Sequence, residues 1–236
     1  VPLNLVGDYG GGGMLLAFGV MAAVWQAVRS GRGQVVDAAM IDGASALMAE
    51  YYGFLHAGEF EGDRGTHLLD GGAHFYGIYE TSDGEFISIG SLEPKFYQLL
   101  RDMLGLDEEI WSRQLDRSLW PELRRRLEAI FKTRTRAQWT TLFEGTDICF
   151  APVLSMREAA EHPHNKARGT VVEIDGMLQA FPAPRFSATQ ASPPRRGRLA
   201  GEDTLAVLKE FGLKSDRVER LIQVGAIFQT TEDVTL

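Results

Sequence analysis

Four consecutive glycines, Gly10 to Gly13, stand directly ahead of the apolar run Met14 to Arg29, with Asp8 just before them. Glycine loses more backbone freedom than any other residue on entering a helix, so such a run belongs at a helix edge. The spacing predicts a helix from about Met14 that stops at Ser30-Gly31-Arg32-Gly33. There glycine can turn left-handed and arginine complements the negative helix end. A helix start presents unpaired N–H groups and partial positive charge, a natural anion site. Asp8 therefore places a carboxylate beside a ready-made oxyanion site at Gly10, Gly11, Gly12 and Gly13. That pairing suits proton abstraction next to a carbonyl; a plain flexible N-cap is the competing explanation. No Gly-Lys-Ser/Thr follows, and the strand and spaced glycines of a dinucleotide fingerprint are missing. Only seven residues precede Asp8, Pro2 weakens them as a strand, and the chain starts with valine. An upstream portion of the protein is therefore expected.

Further along, Gln34 to Ala38 reads as a short strand and Ile41 to Ala57 as a second, mostly apolar helix. Gly58 to Gly72 has no period and reads as a long loop. Alternating runs Phe75 to Glu80 and Glu85 to Ile89 flank Ser82-Asp83-Gly84, a hairpin signal. Helices are predicted over Pro94 to Leu104, Trp120 to Lys132, Ala137 to Phe143 and Met156 to Glu161, with a strand over Ile148 to Val153. After a polar stretch come Val171 to Ile174, a Pro- and Arg-rich loop, and amphipathic helices Thr204 to Phe211 and Asp216 to Val224.

The net charge of −8 argues against nucleic acid as a partner, since phosphate binding needs a concentrated basic surface. Arg124-Arg125-Arg126 sits among Leu119, Leu123, Leu127 and Ile130 at helical spacing, which marks a solvated helix face. Cys149 is the only cysteine; no intrachain disulfide can form, and its apolar neighbours suggest a buried thiol in a cytoplasmic protein. No segment approaches the roughly 18 apolar residues of a membrane span, because Gly19 and Gln26 interrupt the best one, so no membrane partner is expected. Glu93, ahead of Pro94 at a predicted first helical position, can favour the helix dipole or act chemically. Asp70 reads as a turn former and His74 as a packed or surface residue. His162 and His164 lack metal-pair spacing, and no metal site is predicted.

Taken in order, several motifs resemble the family III CoA-transferase (CaiB/BaiF-type) superfamily. They are Gly7-Asp8-Tyr9-Gly10-Gly11-Gly12-Gly13, Ser30-Gly31-Arg32-Gly33-Gln34, Leu69-Asp70-Gly71-Gly72-Ala73 and Glu93-Pro94-x-Phe96-Tyr97. Gly145-Thr146-Asp147-x-Cys149, His164-Asn165-Lys166-x-Arg168-Gly169 and Pro182-Ala183-Pro184-Arg185-Phe186-Ser187 continue the series. The Leu-Asp-Gly-Gly-Ala, Glu-Pro-x-Phe-Tyr and Gly-Thr-Asp pieces look like its racemase branch, which interconverts 2-methylacyl-CoA epimers.

The resemblance implies an α/β fold: a remnant of a Rossmann-like large domain plus a small α+β domain, of the interlocked-dimer type. The corresponding parts are residues 1–57 of the large domain, a linker over 58–75, the small domain over 76–163, a linker over 164–182 and a C-terminal return over 183–236. It implies that Asp8 is one of two acid/bases flanking the substrate α-carbon and that Glu93 pairs with the opposing histidine. That histidine and the CoA-binding arginines lie upstream in the family, so the chain by itself is expected to be incomplete. A separate N-terminal chain is one way to supply them. The implied substrate is an acyl-CoA, with coenzyme A as part of it and no other cofactor, and the implied assembly is an intertwined homodimer. Two alternatives stay open: a CoA-transferase in which Asp8 accepts the acyl group as nucleophile, and a non-catalytic fragment with a role in assembly.

Overall fold

In a computed structural model, residues 2–60 and 63–230 are described, and the chain divides into two compact units, residues 1–153 and 154–236. Mixed α/β structure runs through both.

The first unit opens with a π-helical segment, Leu5–Met14, that continues without a break into α1, Leu15–Ser30. The helix therefore starts ahead of the glycines, not after them. Its first π-register hydrogen bond runs from Tyr9 N–H to Asn4 O (3.2 Å). Helix α1 ends as expected, at Gly31 with φ +71° and its N–H on Ala27 O at 2.8 Å. Because the glycines are helical, Leu5–Ser30 is one 26-residue helix, and an 18-residue stretch of it has a mean hydropathy of 1.6. By length and composition alone it could cross a membrane, which corrects the expectation that no segment reaches that size. The core helix of a larger fold carries the same signature.

The strand expected over Gln34–Ala38 does not form. Those residues run without regular structure and Val35 is 94% exposed; a strand needs a partner ladder, and no described strand supplies one. The second apolar helix is broken at Met48 into α2, Met40–Leu47, and α3, Ala49–His56. Helix α2 crosses the π segment at closely packed glycines, whereas α1 buries no residue at all. Phe18, Met21, Trp25 and Val28 are among its exposed apolar side chains.

The rest of this unit is a three-stranded antiparallel sheet in the order β1-β2-β3, formed by Tyr76–Glu80, Phe86–Gly90 and Phe150–Val153. A tight turn closes the β1–β2 hairpin, with Thr81 N–H on Glu85 O at 2.8 Å and Gly84 at φ +78°. Tyr79 and Ile87 are cross-strand partners on the covered face. Against that face lie α4 (Pro94–Leu104), α5 (Trp120–Phe131) and α6 (Arg136–Phe143). Leu123, Leu127, Phe131, Trp139 and Phe143 fill the space between. Arg125 and Arg126 of α5 pair with Glu122 of their own helix, and the half-buried Arg124 pairs with Glu128.

The second unit holds α7 (Met156–Glu161), whose Ser155 and Glu158 form a reciprocal capping box. The polar stretch after it, read as the start of a linker, contains α8 (Pro163–Arg168), begun by proline and ended at left-handed Gly169. Strands β4 (Val171–Ile174) and β5 (Met177–Ala180) make a hairpin through Asp175 and Gly176, both at positive φ. Helices α9 (Thr204–Glu210) and α10 (Ser215–Gln223) follow close to their expected bounds.

Candidate functional site

Asp8 lies in the opening turns of the π segment with its side chain exposed and unpaired among the described residues. It sits at the positive end of the long helix, where a carboxylate is favoured. Of the glycines, Gly11 and Gly12 are buried and Gly13 is exposed. Their backbone groups fall inside the π turns, so the donors that this register leaves without a helical partner precede Tyr9. Gly11 and Gly12 instead face α2: a Cβ on Gly12 would stand 3.0 Å from Met40 Cγ.

Glu93 is the N-cap of α4, in extended conformation, with Pro94 at the first helical position. Its side chain does not cap its own helix and is exposed. The backbone leading to it is held from below. Gln114 Nε2 donates to Ser91 O (3.1 Å) and Leu92 O (2.9 Å), and Ser91 Oγ donates to Ile148 O (2.6 Å). Trp120 Nε1 in turn donates to Gln114 O at 2.8 Å. Gln114 and Ser91 carry no motif that a sequence pattern would flag; only their burial and partners reveal them. No hydrogen bond or ion pair among the described residues joins Asp8 to Glu93.

The uncovered face of the sheet carries a groove of about 700 Å³, within the range of small-ligand sites. Tyr76, Ile78, Ser88, Gly90, Arg124 and Cys149 line it. Arg124 reaches across the edge strand to donate to Gly71 O (2.8 Å) and Ile78 O (3.3 Å). Gly77 makes room for it, since a Cβ there would stand 2.9 Å from Arg124 Nη1. Cys149 is exposed at φ +56°, not the buried thiol its neighbours suggested. The apolar flank belongs to Ile148, which points into the core, while Cys149 turns outward. Partial burial first, then the negative charges of Glu93 and Asp147, holds its thiol above the ordinary range. Glu93 is thus within electrostatic reach of the groove.

Asp70 accepts from Gly65 N–H (2.9 Å) and His67 N–H (2.8 Å), a loop-closing role. His67 is buried against Tyr51, Phe54 and Phe60. His74 is fully buried, its Nε2 2.8 Å from Tyr97 Oη. Burial, then the charge of Arg124, lowers its pKa to about 4.

The sequence profile of CoA-transferase family III matches residues 2–204. Over 222 residues the chain is 40% identical to mouse alpha-methylacyl-CoA racemase and 38% identical to the human enzyme. Each alignment covers 93% of this chain and 58% of the racemase, so the chain spans little more than half the length of these relatives. Among solved structures, a CaiB/BaiF family protein from Brucella suis matches with a TM-score of 0.66 at 21% identity, over 85% of this chain and 54% of that one. At that identity the likeness speaks for the fold.

Proposed function

The chain belongs to CoA-transferase family III, and from that membership we propose that it forms part of a racemase of 2-methylacyl-CoA thioesters. The likeness to the two mammalian racemases carries this choice over the transferase chemistry that gives the family its name. The thioester acidifies the α-hydrogen. One base removes it, an enolate forms, and an acid on the opposite face returns a proton. Two groups are needed because a single base would hand the proton back to the face it came from.

Asp8 serves as one acid/base, exposed at the positive end of a long helix. The N–H groups of Val6, Gly7 and Asp8, ahead of the first π-register bond, can hold the enolate oxygen, and Gly7, where a Cβ would meet nothing within 4 Å, allows close approach. Glu93, fixed at the head of α4, orients the opposing acid, a histidine in the family pattern that no residue of this chain matches. The apolar groove beside Glu93, with Tyr76 and Ile78 in its walls, suits a branched acyl chain. Coenzyme A enters as part of the substrate, and the reaction needs no metal or redox group.

Phe18, Met21, Trp25 and Val28 leave α1 with an uncovered apolar side, as the edge of an interface would. We assign that surface to the remainder of a Rossmann-like large domain and to a second copy of the chain in an intertwined dimer. Incubating the full-length protein with (2R)-2-methylacyl-CoA in deuterated water should incorporate deuterium at the α-carbon while the epimer appears. Transfer of CoA to a free carboxylate without α-exchange would establish the transferase, with Asp8 as the acyl acceptor.

A further inference from the structure

We infer that the buried pair His74–Tyr97 is a positioning device for Glu93, holding the first turn of α4 against the floor of the sheet. The inference rests on the proposed role of Glu93. Tyr97 lies one turn beyond Glu93, and its N–H donates to Glu93 O at 3.0 Å. Its phenol oxygen, at the other end of the side chain, meets His74 Nε2 at 2.8 Å. His74 cannot move. It is fully buried, its ring stands edge-on to Phe75 and Tyr97 with Trp111 tilted beside it, and its carbonyl accepts from Tyr79 Oη. A continuous line of contacts therefore runs from the entrance of β1 to the backbone of Glu93.

Stability does not account for the pair. His74 Nδ1 is buried without a partner among the described residues, and an orphaned polar atom opposes folding. Two apolar side chains of similar shape would remove that penalty. What they cannot supply is direction: a hydrogen bond fixes where the Tyr97 ring ends, whereas apolar packing lets it slide. His74 titrates far below neutrality, so it acts here as a neutral anchor and not as a proton carrier.

The test uses the full-length protein and follows α-proton exchange together with thermal melting. Tyr97→Phe removes one oxygen and should lower kcat about ten- to hundredfold with KM nearly unchanged, the scale of a small misplacement of a reacting group. The double variant His74→Leu/Tyr97→Phe should lose the same activity without melting earlier. In a Glu93→Gln background neither change should lower the rate further, because both act through that carboxylate. Full activity in Tyr97→Phe, or an undiminished extra loss on top of Glu93→Gln, overturns the inference alone. A fully active Glu93→Gln overturns the role of Glu93 and this inference with it.

Discussion

Gly11 and Gly43 stand back to back where the π segment crosses α2: a Cβ on Gly43 would lie 1.8 Å from the Gly11 carbonyl oxygen. Backbone meets backbone there, and Asp8 sits less than one π turn upstream, so this crossing sets the direction of the carboxylate. Gly43→Ala must push the helices apart and should destabilise by about 1–3 kcal/mol, the usual range for overpacking. Gly53→Ala is the control, since nothing lies within 4 Å of a Cβ at that helical position. It should be neutral or stabilising by up to about 1 kcal/mol. Equal melting temperatures for wild type and Gly43→Ala would show that the helices do not meet at these glycines.

His74 makes folding sensitive to mild acid. Its pKa is 6.5 in an unfolded chain and about 4 in the fold, lowered by burial and then by Arg124. Above the unfolded value neither state binds the proton, and the group adds no pH dependence. As pH falls from about 6.5 towards 4 the unfolded state alone takes up a proton, and stability drops by up to about 3 kcal/mol. Carboxylates held low in the fold, Asp83, Asp116 and Glu122 among them, lose their contribution only at more acid pH. Urea midpoints between pH 7 and pH 4.5 should therefore fall for the wild type and stay nearly level for His74→Leu. Parallel slopes would place the acid sensitivity elsewhere.

Asp8→Asn should separate chemistry from folding. An exposed carboxylate at a helix start contributes about 0.3–1 kcal/mol, so the variant should melt within a few degrees of wild type. Acid–base catalysis is worth roughly 10²–10⁴-fold in rate, and α-deuterium exchange by the full-length variant should fall by that much. Retained exchange would exclude Asp8 as an acid/base.

Asp8 and Glu93 share no contact within the described residues, and the proposed intertwined dimer brings Asp8 of one chain to Glu93 of another. Full-length Asp8→Asn and Glu93→Gln chains, each strongly impaired alone, should recover activity when refolded together, since a mixed dimer contains one wholly wild-type site. The interface should belong to the obligate class, burying on the order of 2,000–5,000 Å². A mixture that stays inactive and runs at monomer size would refute shared sites.

Much of the molecule is written in local pattern. The β1–β2 hairpin follows from alternation around Ser82-Asp83-Gly84, α4 from Pro94 and Gly105, and α5 from Leu123 and Leu127. In each case the signal lies within a few residues of the element it specifies, and the hydrophobic face agrees with the turn chemistry at its ends. Asp8 and Glu93 stood out as short motifs beside expected helix starts, although the helix at Asp8 begins earlier than its glycines suggested. Tertiary structure alone decided the rest. The glycine run became helical because Gly11 and Gly12 pack against α2, a long-range contact that outweighs glycine's poor helix propensity. Gln34–Ala38 has strand composition but no described neighbour to complete its hydrogen bonds. Cys149 faces the groove because the positive φ at that residue turns its side chain away from the core that Ile148 enters. The supports of Glu93, from Gln114 and Ser91 to His74 and Tyr97, lie up to 57 residues from their partners. Hydrogen bonds across such separations leave no periodic trace in the sequence; they exist only once the chain has brought the sheet and its helices together.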